Sequence, residues 1–220
     1  RPPRSTLFPY MTLFRSGMRA ILVLYCVAPL AQGGLGFDTQ RAASLYGTYT
    51  MAVYLLSVPG GLVADRWLGA RKAVLLGGVI IAVGQFLLVV RSTEAFYGGL
   101  CLIALGTGLL KPNISAMVGG LYGADDPRRD SGFSLFYMGI NVGAVMAPLV
   151  CGYLAEGPAF KSWLSGMGFD AAGSWHWGFG AAGVGMVAGL VVFLLRRETL
   201  AGAGERAEKK AEAAGREPAA

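Results

Sequence analysis

Charge is what this sequence has least of. Only 15% of its 220 residues are Asp, Glu, Lys or Arg, against the roughly 25% usual for a soluble domain. Histidine occurs once, at His176, and cysteine three times, at Cys26, Cys101 and Cys151. The cysteines are odd in number, lie within apolar runs and lack metal-ligand spacing, so they read as small buried hydrophobes, with no metal site expected. The sequence holds no HExxH segment, no Ser/His arrangement and no paired aspartates within an apolar run, which argues against an enzyme. The net charge of +6 comes from basic residues in short clusters between apolar runs. That is not the one-sided basic face of a nucleic-acid binder, and no nucleic-acid partner is expected.

What the chain has in excess is apolar surface. Hydrophobic residues make up 54% and the mean hydropathy is +0.52. Six segments approach the ~20 residues that a bilayer requires: about 17–30, which is short, then 43–63, 73–90, 96–117, 133–154 and 177–195. Glycine is frequent inside them, and Pro59, Pro112 and Pro148 would bend or open helices there. Both are tolerated when neighbouring helices satisfy the freed carbonyls. The expected fold is therefore an all-α, multi-pass membrane protein with the lipid bilayer as its solvent.

Loop charge sets the expected orientation. Arg66, Arg71 and Lys72 follow the second segment, Arg128 and Arg129 the fourth, and Arg196 and Arg197 the sixth, whereas Arg41, Arg91 and Lys161 are isolated in the opposite connections. By the positive-inside rule both ends are cytoplasmic. The long outer connection 156–176 ends in SWHW, an aromatic cluster suited to the membrane interface. His176 lies at a helix end there, so it is expected to be an interfacial side chain and not a proton relay. After Leu200 the sequence turns to Ala, Glu, Lys, Arg and Gly, and residues 201–220 read as a polar cytoplasmic linker, truncated here.

The connection after the second segment reads GGLVADRWLGARK (60–72). Gly60 and Gly61 carry no side-chain bulk, so another helix can approach closely. Asp65, Arg66, Arg71 and Lys72 crowd into a stretch too short for a domain, expected to be a charged turn. Two charges lie inside apolar spans, where each costs about 2.5–3.5 kcal/mol on insertion scales and is a functional candidate by default. Arg19 opens the first segment in GMRAILVLY. Lys111 lies in GTGLLKPNISAM. Snorkelling is the bland reading of Lys111. Pro112 favours a ligand role instead, because it frees a carbonyl where an ammonium could meet a substrate carboxylate. Tyr46, Tyr49 and, more loosely, Tyr54 form a stripe that reads equally as helix packing or as a polar cavity wall. Tyr137 and Asn141 share a face in the fifth segment, and the Asn amide either glues helices or binds a ligand.

Together these motifs resemble the proton-dependent oligopeptide transporter (POT) family of the major facilitator superfamily. The resemblance covers residues 17–195 and rests on five separated pieces: GMRAILVLY, GGLVADRWLGARKAV, GTGLLKPNISAMVGGLY, FSLFYMGINVGA and SWHWGFGAAGVGMV. It implies the N-terminal six-helix bundle (17–200) of the major facilitator fold, in a bacterial inner membrane. It implies import of di- and tripeptides by proton symport, with no cofactor beyond the coupling proton. Arg19 and Lys111 would meet the peptide carboxylate, while Tyr54 and Asn141 would line the site. Gly61, Asp65, Arg66, Gly69, Arg71 and Pro112 would serve gating and structure.

The chain departs from the family pattern in two ways. Family helix-1 groups tied to proton coupling would align with Phe8, Met11, Thr12 and Ser16, which do not match. Residues 1–16 instead end in LFPYMTLFRS, similar over ten positions to a translated sequencing adapter. They are expected to be a non-native leader, in preference to an amphipathic lead-in. The second departure is that the family's C-terminal six-helix half, a required partner, is missing. The competing expectations are a truncated or split membrane module that does not transport, or a relative carrying nitrate or another organic anion, since Arg19 and Lys111 would bind any anion.

Overall fold

The computed structural model describes residues 9–122 and 126–195, with side chains from Met18 onward. All regular structure among them is helical. Six long helices, α1 (Pro9–Val27), α2 (Thr39–Val63), α3 (Ala70–Leu87), α4 (Thr93–Gly120), α5 (Arg129–Glu156) and α7 (Ser174–Leu195), are joined by one short helix, α6 (Pro158–Gly166). Five stretches are long and apolar enough to cross a membrane: Thr39–Leu68, Ala70–Leu87, Thr93–Gly120, Arg129–Glu156 and Ala171–Leu195. The first helix adds the shorter apolar stretch Met18–Val27. All six predicted segments are present, mostly longer than expected, because polar caps extend them past their apolar cores. The Asp38 side chain accepts from the Arg41 N–H to start α2, and Ser92 does the same for the Ala95 N–H of α4.

Three expectations are corrected. The first helix starts at Pro9, inside the stretch read as a leader, so Arg19 lies in mid-helix and does not open it. The charged connection after α2 is not a turn. A π-helical stretch, Ala64–Leu68, follows α2 directly, and the chain breaks only at Gly69, whose φ of 76° suits glycine alone. The Gly69 N–H donates five residues back to the Ala64 carbonyl at 2.7 Å, so one residue turns the chain. Finally, the outer connection 156–176 contains α6. Pro158 opens that helix at its first position, where a missing N–H costs nothing. Residues 1–8, Arg196, Arg197 and the predicted linker 201–220 lie outside the described residues.

Glycine sets the closest helix contacts. A Cβ at Gly77 would sit 2.6 Å from the Gly106 carbonyl oxygen, and one at Gly106 would sit 2.6 Å from that of Gly77. One heptad away the relation repeats between Gly84 and Gly99, at 2.9 and 2.8 Å. The two pairs are in antiparallel register, so α3 and α4 meet backbone to backbone along two turns of each helix. The α2–α4 crossing has its own pair. A Cβ on Gly60 would collide with the Gly108 carbonyl. That carbonyl lies four residues before Pro112, which has no N–H to bond it.

The core gathers α1, α4 and α7. Tyr25 packs edge-on against Phe179 at 5.3 Å and lies 5.5 Å from Phe96. Trp175 and Phe179 are buried at the head of α7. The Trp175 indole N–H donates to the Gln32 carbonyl at 3.0 Å, and Ser174 Oγ donates to the Ala155 carbonyl at 2.6 Å. These ties draw the α1–α2 connection and the end of α5 over the start of α7. His176 lies at a helix end, as expected, but is only 8% exposed, packed within the bundle.

Candidate functional site

The two mid-span cations meet. Arg19 on α1 and Lys111 on α4 line one cleft with Tyr49, Thr50, Val53 and Tyr54 of α2. Of the tyrosine stripe, Tyr49 and Tyr54 line the cleft, while Tyr49 is also part of the core and Tyr46 packs against it. Arg19 Nη2 donates to the Tyr46 hydroxyl at 2.9 Å. The Lys111 ammonium stands 3.9 Å from the centroid of the Tyr54 ring. A cation over a ring face is worth roughly 0.5–2 kcal/mol, less than a charge at this depth costs.

The cleft is short of partners for its own polar groups. Neither Arg19 nor Lys111 forms an ion pair among the described residues. Arg19 Nε and Thr50 Oγ1 are buried with no hydrogen-bond partner. No lining residue is acidic. A buried donor left unmade costs about 1–3 kcal/mol, so two cations and an orphaned N–H on one cleft are arranged for an anionic, hydrogen-bonding ligand. The volume enclosed by this face is about 10 Å³, room for roughly one water. A solute the size of a peptide needs a second wall.

Asn141 is not part of this lining. It stands exposed on α5, as does Tyr137 one turn earlier. Gly61 has only Pro112 Cβ within reach, at 3.9 Å from an added Cβ, so the close approach belongs to Gly60. Asp65 and Arg66 are exposed on the π-helical stretch and Arg71 is half-buried two residues after Gly69.

Two contributors escaped the sequence reading. Thr50 sits four residues from both Tyr46 and Tyr54, a spacing that places it on their face. Asn113 is 3% exposed. Its amide donates to the Leu109 carbonyl at 2.6 Å and reaches the Gly60 carbonyl at 3.4 Å. It clamps α2 to α4 one residue beyond the proline and two beyond Lys111, so the cation is held on a fixed crossing. The glycines at 60 and 108 with Pro112 were the available signal.

Comparison with known proteins places this geometry. The sequence model of the POT family matches residues 71–203. The chain is 46% identical over 183 residues to the uncharacterized transporter YclF of Bacillus subtilis, covering 83% of this chain and 34% of that protein. It is 44% identical over 179 residues to a di-/tripeptide transporter of Lactobacillus helveticus, covering 81% and 35%. Among solved structures, a mutant of the peptide transporter POT in complex with alafosfalin matches with a TM-score of 0.79 at 42% identity, covering 95% of this chain and 42% of that one. The chain spans about a third of the length of the curated relatives it matches.

Proposed function

The chain belongs to the POT family, and on that premise we propose that it is the N-terminal bundle of a transporter importing di- and tripeptides together with protons. Its fold is the six-helix half of the major facilitator architecture. One observation carries the reading: Arg19 and Lys111 meet on a single cleft that holds no carboxylate. A zwitterionic peptide brings the carboxylate these cations lack, and charge-assisted bonds in a dry cavity offset desolvation when fully paired. Tyr54 orients Lys111 through its ring. Asn141 binds the peptide backbone or side chains from α5 once a second bundle narrows the cavity.

That second bundle is the proposed partner. The α2 and α5 spans have only 22% of their most apolar windows buried, against 44–56% for α3, α4 and α7. Leu55, Val58 and Leu62 on α2 and Val142, Val145 and Leu149 on α5 are exposed. These faces suit a six-helix half that rocks against this one around a midplane site. The Ala64–Leu68 stretch, with Asp65, Arg66 and Arg71, then belongs to the cytoplasmic gate, and both ends of the bundle lie in the cytoplasm of a bacterial cell.

The test is uptake of a labelled dipeptide into proteoliposomes holding the full-length transporter, driven by an inward proton gradient. Uptake that collapses without the gradient and in Lys111→Ala supports the reading. Gradient-driven uptake of nitrate but not dipeptide would replace it with an anion carrier that uses the same two cations.

A further inference from the structure

Two cavities meet at His176, at the end of the bundle opposite the Ala64–Leu68 stretch. The first, of about 280 Å³, mixes polar and apolar surface and is lined by Tyr25, Leu35, Arg91, Ser92, Thr93 and His176, among others. The second, of about 420 Å³, is an almost wholly apolar groove. Trp177, Gly180 and Val184 form one face of it at helical spacing on α7. Phe86 and Val89 of α3 and Leu154 of α5 complete it. Neither cavity belongs to the Arg19–Lys111 cleft.

His176 is the buried group that asks for a ligand. Both ring nitrogens are buried without a hydrogen-bond partner, in a side chain 8% exposed. The Gly173 backbone lies close enough to act on one ring nitrogen without meeting hydrogen-bond geometry, and the Arg91 guanidinium acts on the ring through its field. A neutral imidazole has one N–H to give and one lone pair to offer, and here the cavity is where they can be used. Beside it the first cavity offers an anion site built from two sources. Arg91 supplies a guanidinium with donors to spare beyond its 3.2 Å bond to Asp170. Thr93 heads a 28-residue helix whose N-terminal amides favour negative charge.

The surroundings narrow the anion. Asp170 lies beside Arg91, and Glu94 stands in the same first turn of α4. Two carboxylates repel a free multivalent anion but suit a phosphate that carries its own ammonium. The apolar groove adjoining at His176 takes a hydrocarbon. Trp177 and Val184 are half-exposed on its face, within a stretch long and apolar enough to span a bilayer. The surrounding medium of that face is acyl chain. We propose that the first cavity and the groove together form one site for a phosphoethanolamine glycerophospholipid, with its phosphate at Arg91, Thr93 and His176 and one acyl chain along α7. This site is independent of the transport reading.

The experiment is native mass spectrometry of the full-length transporter released from nanodiscs of equal POPE and POPG, paired with photolabelling by a phosphatidylethanolamine bearing a diazirine on its acyl chain. The expected result is one retained POPE per chain, in at least five-fold preference to POPG, and label centred on residues 176–184. Arg91→Gln and Gly180→Leu are each expected to lower POPE retention at least five-fold. An added Cβ at Gly180 meets only Val89, at an ordinary 3.5 Å, so its larger side chain fills the groove without forcing the backbone. The wild-type label position needs no variant and stands if one fails to fold. Equal retention of POPG, displacement of POPE by millimolar inorganic phosphate, retention unaffected by Gly180→Leu in folded protein, or label confined to α2 and α5 would each overturn the proposal.

Discussion

The Lys111 ammonium lies 3.9 Å from the centre of the Tyr54 ring, held by an aromatic face where a carboxylate would neutralise it. A ring stabilises the cation without consuming its charge, so the ammonium stays available to an incoming anion. A carboxylate partner would have to be displaced first. The Tyr54 hydroxyl is not needed for this contact. Tyr54→Phe in the full-length transporter is expected to keep the dipeptide KM within about three-fold. Tyr54→Leu removes the roughly 0.5–2 kcal/mol of cation–π attraction and is expected to raise KM by about 2- to 30-fold. Uptake titrations of the two variants check this, and equal behaviour of Phe and Leu would place the ring in packing alone.

Gly60 and Gly61 are adjacent but not equivalent. An added methyl at Gly60 collides with the Gly108 carbonyl, whereas at Gly61 it meets only Pro112 Cβ at 3.9 Å. Overpacking a close helix crossing costs about 1–3 kcal/mol, so Gly60→Ala is expected to lower the unfolding temperature in detergent by several degrees. Gly61→Ala is expected to change stability by less than about 0.5 kcal/mol. Thermal melts of the two variants side by side decide it. A larger loss for Gly61→Ala would mean that α2 meets α4 through a different face.

Much of the architecture could be read before the helices were seen, because bilayer-length apolar runs announce themselves. The pairing of those helices could not. Gly77 with Gly106 and Gly84 with Gly99 form a register only once α3 and α4 are laid antiparallel, and no local pattern in either helix names its partner. The same limit hid the bond from Arg19 to Tyr46, 27 residues apart. Arg19 and Lys111 were legible as candidates because a charge within an apolar run is costly wherever it lies. The burial of His176 was not legible because nothing local says that Trp175 and Ser174 would anchor the start of α7 under the α1–α2 connection. The α6 helix was missed because a proline reads first as a break and only second as a helix opening.

Gly69 carries the whole reversal between α2 and α3. Its φ of 76° with a ψ of 147° lies in a region essentially reserved for glycine and costs a side-chain-bearing residue roughly 1–3 kcal/mol. Gly69→Ala is expected to destabilise the bundle by about that amount and to slow transport by the full-length protein. Gly69→Asn is expected to lose as much, because asparagine's tolerance of positive φ is confined to the left-handed helical region, far from a ψ of 147°. Paired melting and uptake measurements test whether both variants fall below the parent together. An alanine variant indistinguishable from the parent would show that the π-helical stretch relaxes without its glycine.

The central claim is that Lys111 recognises the carboxylate of a peptide. Uptake competition in proteoliposomes, comparing dialanine with its C-terminal amide, tests it most directly in the full-length transporter and in Lys111→Gln. Losing a charge-assisted bond from a desolvated site costs roughly 1.5–3 kcal/mol, or about 10- to 150-fold in affinity. The account predicts that the parent prefers the acid over the amide by a factor of that order, and that Lys111→Gln erases most of this preference by weakening the acid alone. A variant that binds acid and amide with the parent's discrimination would contradict it.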